Sequence, residues 1–495
     1  MITRIKIDGF KSLLNAELYF GPFTCIAGAN AVGKSNFFDA IMFLSSLADN
    51  TILQAAKSVR SENQRHSNIR DIFFKSGADY YDTMSFEIDM IVSQNAEDDL
   101  GQLAEATITS LRYVLELRLN NESTGQEPIE IVKEELLPIT LGMAKSHIYF
   151  PYEKEWLSSV LSGRRSTRNY FISTHKDLIK LHSDSSKEKK RGGRTTEFIA
   201  PKMPRTLLST VTAESPTAFL ARYEMRNWMM LQFEPSALRQ PNSIFEVKNA
   251  EITAGGLNLP ATLYRLHNEK QDKDVYQSLT NKLKGLVNDV REISIDKDER
   301  RDLLTLEVQF KDGLKLPAQS LSDGTLRFLG LAIIQEDSRS NGLLCLEEPE
   351  NGINPKKIEE MVNLLEEMVT DTHYEVDDDN PLRQVIVNSH SPKVVSTVAD
   401  ESLYLAYERE KYSDKFKKKV KYTGFSSLQS TWKTENKLAP ETSKGEIISY
   451  LEYNGQLLTN RDNEVGDPKE SYQKNELKKP KRTVLENFNQ LSLGF

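Results

Sequence analysis

A glycine-rich segment from Gly28 to Ser35 has the residue types and the spacing needed to bind phosphate. It reads GANAVGKS and matches the pattern GxxxxGK[ST] at every fixed position. Its two glycines allow backbone N–H groups to converge on a β-phosphate, Lys34 supplies a cation for the β and γ oxygens, and the Ser35 hydroxyl is a ligand for Mg²⁺. The segment therefore predicts a site for ATP with Mg²⁺. The nucleotide-binding residues that it predicts are Gly28, Asn30, Ala31, Val32, Gly33, Lys34 and Ser35.

Two adjacent carboxylates, Glu347 and Glu348, follow the apolar run from Leu343 to Leu346. A buried strand that ends in such a pair suits the same chemistry, because one carboxylate can hold Mg²⁺ while the other activates a water. We expect Glu347 to hold Mg²⁺, directly or through water. We expect Glu348 to point the other way along the strand and to act as general base. His390 follows a second apolar run, Val385 to Val387, and is expected to reach the γ-phosphate.

Two further segments specify the subclass of this nucleotide site. LSDGT, Leu321 to Thr325, precedes the carboxylate pair and opens an apolar helix, and GFKS, Gly9 to Ser12, lies near the start of the sequence. Four motifs follow one another along the chain: GxxxxGKS, LSDGT, LEEPE (Leu346 to Glu350) and the histidine of SHSP (Ser389 to Pro392). In this order they resemble the ABC-type ATPase heads of the SMC, RecF and OLD group. The resemblance covers residues 1 to about 50 and 310 to 405.

This resemblance implies a fold, a shared site and further site residues. The implied fold is α/β, a mixed sheet that carries the P-loop plus an antiparallel β subdomain, with an inserted and partly helical lobe. In such heads the LSDGT of one subunit closes over ATP held by the other, so Ser322, Asp323 and Gly324 are expected to act in trans within a homodimer or higher homo-oligomer. The GFKS element flanks the adenine in that group, which assigns Lys11 to the nucleotide site. Asn354 stands where relatives commonly have histidine, and the sequence assigns no Q-loop glutamine.

Hydrophobic periodicity indicates the elements that must position these residues. It divides the chain into an N-terminal half of the head (1–140), an inserted lobe with a basic loop (141–230), a C-terminal half of the head (231–410) and a lysine-rich C-terminal region (411–495). The predicted strands are Ile2–Phe10, Leu18–Ala27, Met84–Val92, Leu111–Asn120, Ile129–Glu135, Leu303–Phe310, Leu343–Leu346, Val385–Val387 and Leu403–Ala406. The predicted helices are Asp39–Leu47, Leu326–Ile334, Ile358–Val369 and Lys444–Tyr453.

Composition and charge exclude several classes of protein. The chain has 495 residues and a formal net charge of −8, with no apolar run near the ~20 residues of a membrane-spanning helix. Its two cysteines, Cys25 and Cys345, exclude a disulfide framework and a cysteine-based zinc site. We therefore expect a cytoplasmic protein without a membrane partner. Between Arg164 and Arg205, 12 Lys and Arg stand against 4 Asp and Glu, a run that is typical of a solvated loop and that alternatively indicates contact with an acidic partner, either nucleic acid or an acidic protein.

Within the group, several roles remain open at this point. An OLD-type nuclease carries a Toprim domain after the histidine, and no Toprim pattern follows His390. Long SMC-type proteins need hundreds of heptad residues, which this chain lacks. A RecF-like repair ATPase fits, and so does a compact ATPase that works with a separately encoded effector. That last architecture resembles ATPase subunits of bacterial anti-phage systems, of PARIS type and next of Septu type, whose effector is a Toprim- or HNH-type nuclease. The non-enzymatic alternative is a binding module in which bound ATP only holds an assembly together.

Overall fold

The structure, a computed structural model, describes residues 1–59, 68–120, 128–163, 170–182, 184, 197–269 and 274–452. Most of its strands form one antiparallel sheet and one largely parallel sheet. Within the described ranges, every helix is too short or too polar to span a membrane.

The antiparallel sheet has eight strands in the order β13-β12-β11-β10-β9-β6-β1-β2. Alternate side chains of its central strands are buried, as expected where one face packs on a core. Two two-stranded ribbons, β4 with β5 and β7 with β8, accompany it. The strands of this part of the chain are β1 (Ile2–Asp8), β2 (Ala16–Tyr19), β4 (Lys75–Ser76), β5 (Asp79–Tyr80), β6 (Thr83–Ile91), β7 (Asn95–Glu97), β8 (Leu103–Glu105), β9 (Ser110–Leu119), β10 (Ile129–Pro138), β11 (Ile172–His175), β12 (Leu178–Leu181) and β13 (Glu197–Ile199).

The second sheet has seven strands in the order β14-β19-β20-β3-β21-β22-β23 and is parallel except for the hairpin β21–β22. Its central strands β3 and β20 are buried along their whole length, which explains why they read as short, continuous apolar runs. Its strands are β3 (Phe23–Ala27), β14 (Met229–Leu231), β19 (Gly342–Glu347), β20 (Arg383–Ser389), β21 (Leu403–Ser413), β22 (Lys418–Leu428) and β23 (Glu441–Thr442). A third sheet contains β15 (Asn242–Ser243), β16 (Val290–Asp298), β17 (Leu303–Phe310) and β18 (Lys315–Pro317).

Helices cover both large sheets. The side chains of α1 join the core of the antiparallel sheet, whereas α9 and α10 lie in a second hydrophobic core beside the parallel strands. The helices are α1 (Lys34–Leu47), α2 (Ile52–Ser58), α3 (Leu141–Ala144), α4 (Lys154–Val160), α5 (Pro216–Arg226), α6 (Pro235–Leu238), α7 (Leu259–Glu269), α8 (Val275–Leu286), α9 (Asp323–Glu336), α10 (Ile358–Glu367), α11 (Pro392–Thr397), α12 (Trp432–Glu435) and α13 (Lys444–Glu452).

Two buried polar side chains connect the two large sheets. The Gln384 side chain on β20 accepts a hydrogen bond from the backbone N–H of Ile2 and donates to the carbonyls of Ile2 and Gly21. The Tyr404 hydroxyl on β21 donates to the Tyr19 carbonyl at 3.0 Å. Because unpaired polar groups are costly in a core, these contacts fix how the first strand of the chain lies against the parallel sheet.

The architecture confirms the predicted fold class, a mixed α/β fold with a large antiparallel sheet beside the P-loop sheet. The predicted single strand from Leu18 to Ala27 is wrong, because Phe20, Gly21 and Pro22 separate β2 from β3 and the two strands belong to different sheets. Residues 411–421 were expected to begin a polar region, but they complete the hairpin β21–β22, so the expected boundary at 410 falls inside a strand. In the expected inserted lobe, β11 to β13 extend the antiparallel sheet.

Candidate functional site

The P-loop connects the end of β3 to the start of α1, as its pattern requires. Gly33 caps α1 with a φ of 99°, and Ala31 has a φ of 65°, so the loop adopts left-handed backbone at two positions. A Cβ at Gly28 would lie 2.6 Å from the Ala406 carbonyl oxygen, and one at Gly33 would lie 2.1 Å from the Thr423 hydroxyl. Both glycines are therefore required by the strands β21 and β22 that pack against the loop.

Lys34 lies at the first position of α1 and its side chain folds back over the loop. Its Nζ donates to the carbonyl oxygens of Gly28 at 2.6 Å and Ala29 at 2.7 Å, and the residue is only 6% exposed. Burial lowers the pKa of Lys34, and the nearby carboxylates of Glu348 and Glu347 act in the opposite direction. A buried ammonium beside backbone N–H groups is a favourable environment for an anionic ligand such as a phosphate group.

A cavity of about 460 Å³ brings together the predicted halves of the site. Its lining comes from the P-loop, from the start of α1, and from the ends of β19 and β20. The lining residues are Asn30, Ala31, Gly33, Lys34, Ser35, Asn36, Glu347, Glu348 and Asn388. The hydroxyl of Ser35 and the carboxylate of Glu347 are hard oxygen donors, which is the ligand type that Mg²⁺ prefers. The residues present therefore fit a nucleotide with its Mg²⁺.

Glu347 and Glu348 reach the cavity from different backbone conformations. Glu347 is the last residue of β19, whereas Glu348 leaves the strand with a φ of 48°. Because of this left-handed turn the two carboxylates line one cavity, so the expectation that Glu348 points the other way along the strand is wrong. The position is strained for a residue other than glycine, and such strain often marks a functional site.

Both oxygens of the Glu348 carboxylate are held by neighbouring side chains. His390 Nδ1 lies 2.7 Å from Oε1, and Asn351 Nδ2 donates to Oε2 at 2.8 Å. Since a carboxylate only accepts, Nδ1 of His390 carries the proton in this hydrogen bond. The predicted histidine therefore contacts Glu348, and it is not among the residues that line the cavity.

Asn388 is a site residue that the sequence patterns did not indicate. It lies on β20 directly beside Glu347, its Nδ2 is 3.3 Å from Glu347 Oε1, and its Oδ1 accepts from the backbone N–H of Glu348 at 3.1 Å. These contacts orient the Glu347 carboxylate and hold the backbone at Glu348. Its position two residues before His390, at the end of a strand parallel to β19, was the available signal, because parallel strands end at the same edge of a sheet.

The LSDGT segment forms the N-terminus of α9 and contributes no residue to the cavity. Ser322 is the N-cap, and its exposed hydroxyl accepts from the Thr325 N–H at 3.3 Å. Asp323 pairs with Arg239 at 2.5 Å, and a Cβ at Gly324 would lie 2.3 Å from the Gly352 carbonyl oxygen. Gly324 therefore allows α9 to pack on the loop that follows the carboxylate pair.

The structure does not place Lys11 in the cavity. Its backbone has a φ of 45°, and its Nζ donates to Asp39 Oδ2 on α1 at 2.6 Å. Asn354, which departs from the pattern of the group, caps a 3₁₀ turn by accepting from the Lys356 N–H at 3.0 Å.

Much of the basic run between residues 164 and 205 lies outside the described residues. That part includes Lys189, Lys190, Arg191 and Arg194. Three of the six lysines between residues 411 and 421 of the hairpin β21–β22 form surface ion pairs, of Lys415 with Asp82, Lys418 with Asp79 and Lys421 with Glu408. Their charge is thus partly balanced by this chain's own carboxylates.

Comparisons with known proteins find partial similarity. A family model described as "AAA domain, putative AbiEii toxin, Type IV TA system" matches residues 23–97 and 233–396, just under half of the chain. The DNA replication and repair protein RecF of Phocaeicola vulgatus is 37% identical over 67 residues, which are 13% of this chain and 17% of that protein.

Two SMC head structures are also similar to this chain. An SMC head bound to the C-winged helix domain of ScpA is 14% identical with a TM-score of 0.41, and the match covers 86% of this chain and 98% of that one. An SMC head domain from Thermotoga maritima is 12% identical with a TM-score of 0.35, and the match covers 85% of this chain and 97% of that one.

Proposed function

We propose that this chain is an ABC-type ATPase of the SMC and RecF kind, which binds ATP with Mg²⁺ and hydrolyses it to ADP and phosphate. The observation that carries the proposal is that Lys34, Ser35, Glu347 and Glu348 line one and the same cavity. The family match over the two segments that contain these residues supports it. So does the RecF similarity.

The residues of the cavity have separate tasks in this reaction. The P-loop N–H groups and Lys34 hold the β- and γ-phosphates, and Ser35 with Glu347 would hold Mg²⁺, which neutralises charge on the phosphate oxygens. Glu348 accepts a proton from the attacking water. At the same time the water oxygen bonds to the γ-phosphorus, and the bond between the γ-phosphorus and the oxygen that leaves with ADP breaks. His390, through its hydrogen bond to Oε1, and Asn351, through Oε2, keep the Glu348 carboxylate in place.

Replacing Lys34 by alanine tests whether the cavity binds nucleotide. The variant removes the ammonium group that lies inside the P-loop, and a charge-assisted contact with phosphate is lost. We expect the dissociation constant for Mg²⁺-ATP, measured with a fluorescent ATP analogue, to rise at least about tenfold. Lys6→Ala, which removes an exposed lysine on β1, is the matched control and should bind like wild type. Equal affinity of Lys34→Ala and wild type would remove the P-loop from nucleotide binding.

The chain works as a homodimer or higher homo-oligomer with shared sites. Ser322 and Asp323 are exposed at the start of α9, and the LSDGT segment does not line its own chain's cavity. A second copy would bring the N-terminus of its α9, with its N–H groups, to the γ-phosphate. The same copy would exclude water from the nucleotide.

The ATPase acts as sensor and scaffold for a separate effector in anti-phage defence. This assignment rests on the resemblance to compact ATPase subunits of PARIS and Septu type, whose partner is a Toprim- or HNH-type nuclease. The basic run of residues 164–205 supplies the contact for an acidic ligand, a phage protein or nucleic acid. A RecF-like role in DNA repair is the second candidate, favoured by the 67-residue similarity to RecF.

The purified chain is expected to hydrolyse ATP and to leave DNA and RNA intact with Mg²⁺ or Mn²⁺. Plasmid DNA and total RNA, incubated with the chain and ATP and analysed on gels, provide the measurement. Metal-dependent cleavage that co-purifies with wild type and persists in Lys34→Ala would favour an OLD-type nuclease instead. The neighbouring reading frame separates the two other roles, since a Toprim or HNH gene favours defence and recombination genes favour repair.

A further inference from the structure

A buried side chain of the hairpin β21–β22, that of Thr423, forms a hydrogen bond with the P-loop. This residue lies on β22 and is 2% exposed. Its hydroxyl donates to the Val32 carbonyl of the P-loop at 2.9 Å, and its backbone N–H donates to the Ser12 carbonyl at 2.9 Å. Thr423 therefore connects the P-loop to the GFKS element.

Ser12 extends this contact into a directed chain of hydrogen bonds. Its hydroxyl lies 2.7 Å from Thr423 Oγ1 and accepts from Asn36 Nδ2 at 2.8 Å. A hydroxyl has a single proton, and that of Thr423 is donated to Val32, so Ser12 must donate to Thr423. The series of hydrogen bonds thus runs from Asn36 through Ser12 and Thr423 to Val32.

The two ends of this series of hydrogen bonds lie on either side, in sequence, of the residues proposed to contact phosphate. Val32 and Asn36 flank Gly33, Lys34 and Ser35, and Asn36 itself lines the cavity. The two hydroxyls also lie close to the loop, because a Cβ at Gly33 would lie 2.1 Å from Thr423 Oγ1 and 2.5 Å from Ser12 Oγ. Hydrogen bonds that are partly shielded from water, as these are, are costly to leave unmade, so this series of hydrogen bonds favours one conformation of the loop.

We propose that Ser12 and Thr423 are positioning residues that hold residues 32–36 in the conformation that binds phosphate. The proposal rests on the proposed function, since it names residues that support the same nucleotide site. It also assigns the hairpin β21–β22 a role in nucleotide affinity, although the hairpin contributes no residue to the cavity lining.

Thr423→Val tests this role, because valine keeps the shape of threonine and removes the hydroxyl. We expect the dissociation constant for Mg²⁺-ATP to rise about three- to tenfold, because the hydroxyl's two neutral hydrogen bonds, to Val32 and Ser12, are lost and part of that cost is expressed as weaker binding. The turnover number at saturating ATP should stay within about twofold, since neither the carboxylates nor His390 are disturbed. Thr423→Ser retains the hydroxyl and should restore wild-type affinity. Ser426→Ala is the matched control on the same strand, because the buried Ser426 hydroxyl has no hydrogen-bond partner among the described residues.

The outcomes distinguish this inference from the proposed function. Wild type that fails to bind Mg²⁺-ATP would contradict the proposed function itself. Wild type that binds, together with a Thr423→Val protein of lower melting temperature and unchanged affinity, would reduce the hydroxyl to a structural role and overturn the inference. Should Thr423→Val not fold, Ser12→Ala interrupts the same chain and is expected to weaken binding in the same range. Unchanged affinity in that variant would equally overturn the inference.

Discussion

Glu348→Gln is expected to bind ATP like wild type and to lower turnover by at least about 100-fold, the range for a lost acid–base group. The amide keeps the volume of the carboxyl group and still accepts one hydrogen bond, so the contacts with Asn351 and His390 survive in part. It cannot accept a proton from the attacking water. Phosphate release under saturating ATP, measured beside the nucleotide dissociation constant, separates the loss of chemistry from a loss of binding.

A matched control removes a carboxylate far from the cavity lining. Glu359→Gln changes an exposed glutamate in the first turn of α10, and it should hydrolyse ATP at the wild-type rate. Near-normal hydrolysis by Glu348→Gln would exclude Glu348 as the general base and would direct attention to Glu347, the other carboxylate in the cavity lining.

The sequence predicts the parts of this molecule whose information is local. The P-loop is a continuous segment with fixed glycine and lysine positions, and the antiparallel strands alternate visibly along the chain. The sequence also indicates the carboxylate pair, which directly follows a short apolar run, and His390, which stands three residues after another. Parallel strands at the centre of a sheet produce such runs, and their carboxyl ends meet at one edge.

Contacts between distant segments could not be predicted in the same way. The hydrogen bond from Thr423 to Val32 joins residues 391 positions apart. A threonine on a strand forms no sequence pattern from which such a contact could be predicted. Periodicity also cannot show that a chain changes sheets, so Leu18–Ala27 looked like one strand. The turn at Glu348 is set by the packing around β19 and β20, where Asn388 binds the Glu348 N–H.

Ser322→Arg is expected to retain ATP binding and to lose ATP-dependent pairing and hydrolysis, because it places bulk and charge where a partner's γ-phosphate must dock. The substitution also removes the N-cap of α9, which costs about 1 kcal/mol of stability. Ser322→Ala loses the same cap without adding bulk, so it controls for stability and should still pair. Size-exclusion chromatography with and without ATP measures pairing.

Mixing two inactive variants tests the shared site most directly. In a mixed dimer of Ser322→Arg and Glu348→Gln, the Ser322→Arg subunit supplies intact catalytic residues and its partner supplies an intact LSDGT segment. One of the two sites is then complete. An equal mixture should recover at most about a quarter of wild-type turnover, the value for free subunit exchange, unimpaired mixed pairing and independent sites. Each variant alone should remain inactive. Ser322→Arg mixed with the double variant Ser322→Arg/Glu348→Gln, a pair in which neither site is complete, controls for simple stabilisation by a partner at equal protein concentration. Full hydrolysis by Ser322→Arg alone, or no recovery in mixtures whose subunits demonstrably exchange, would contradict sites shared between two copies.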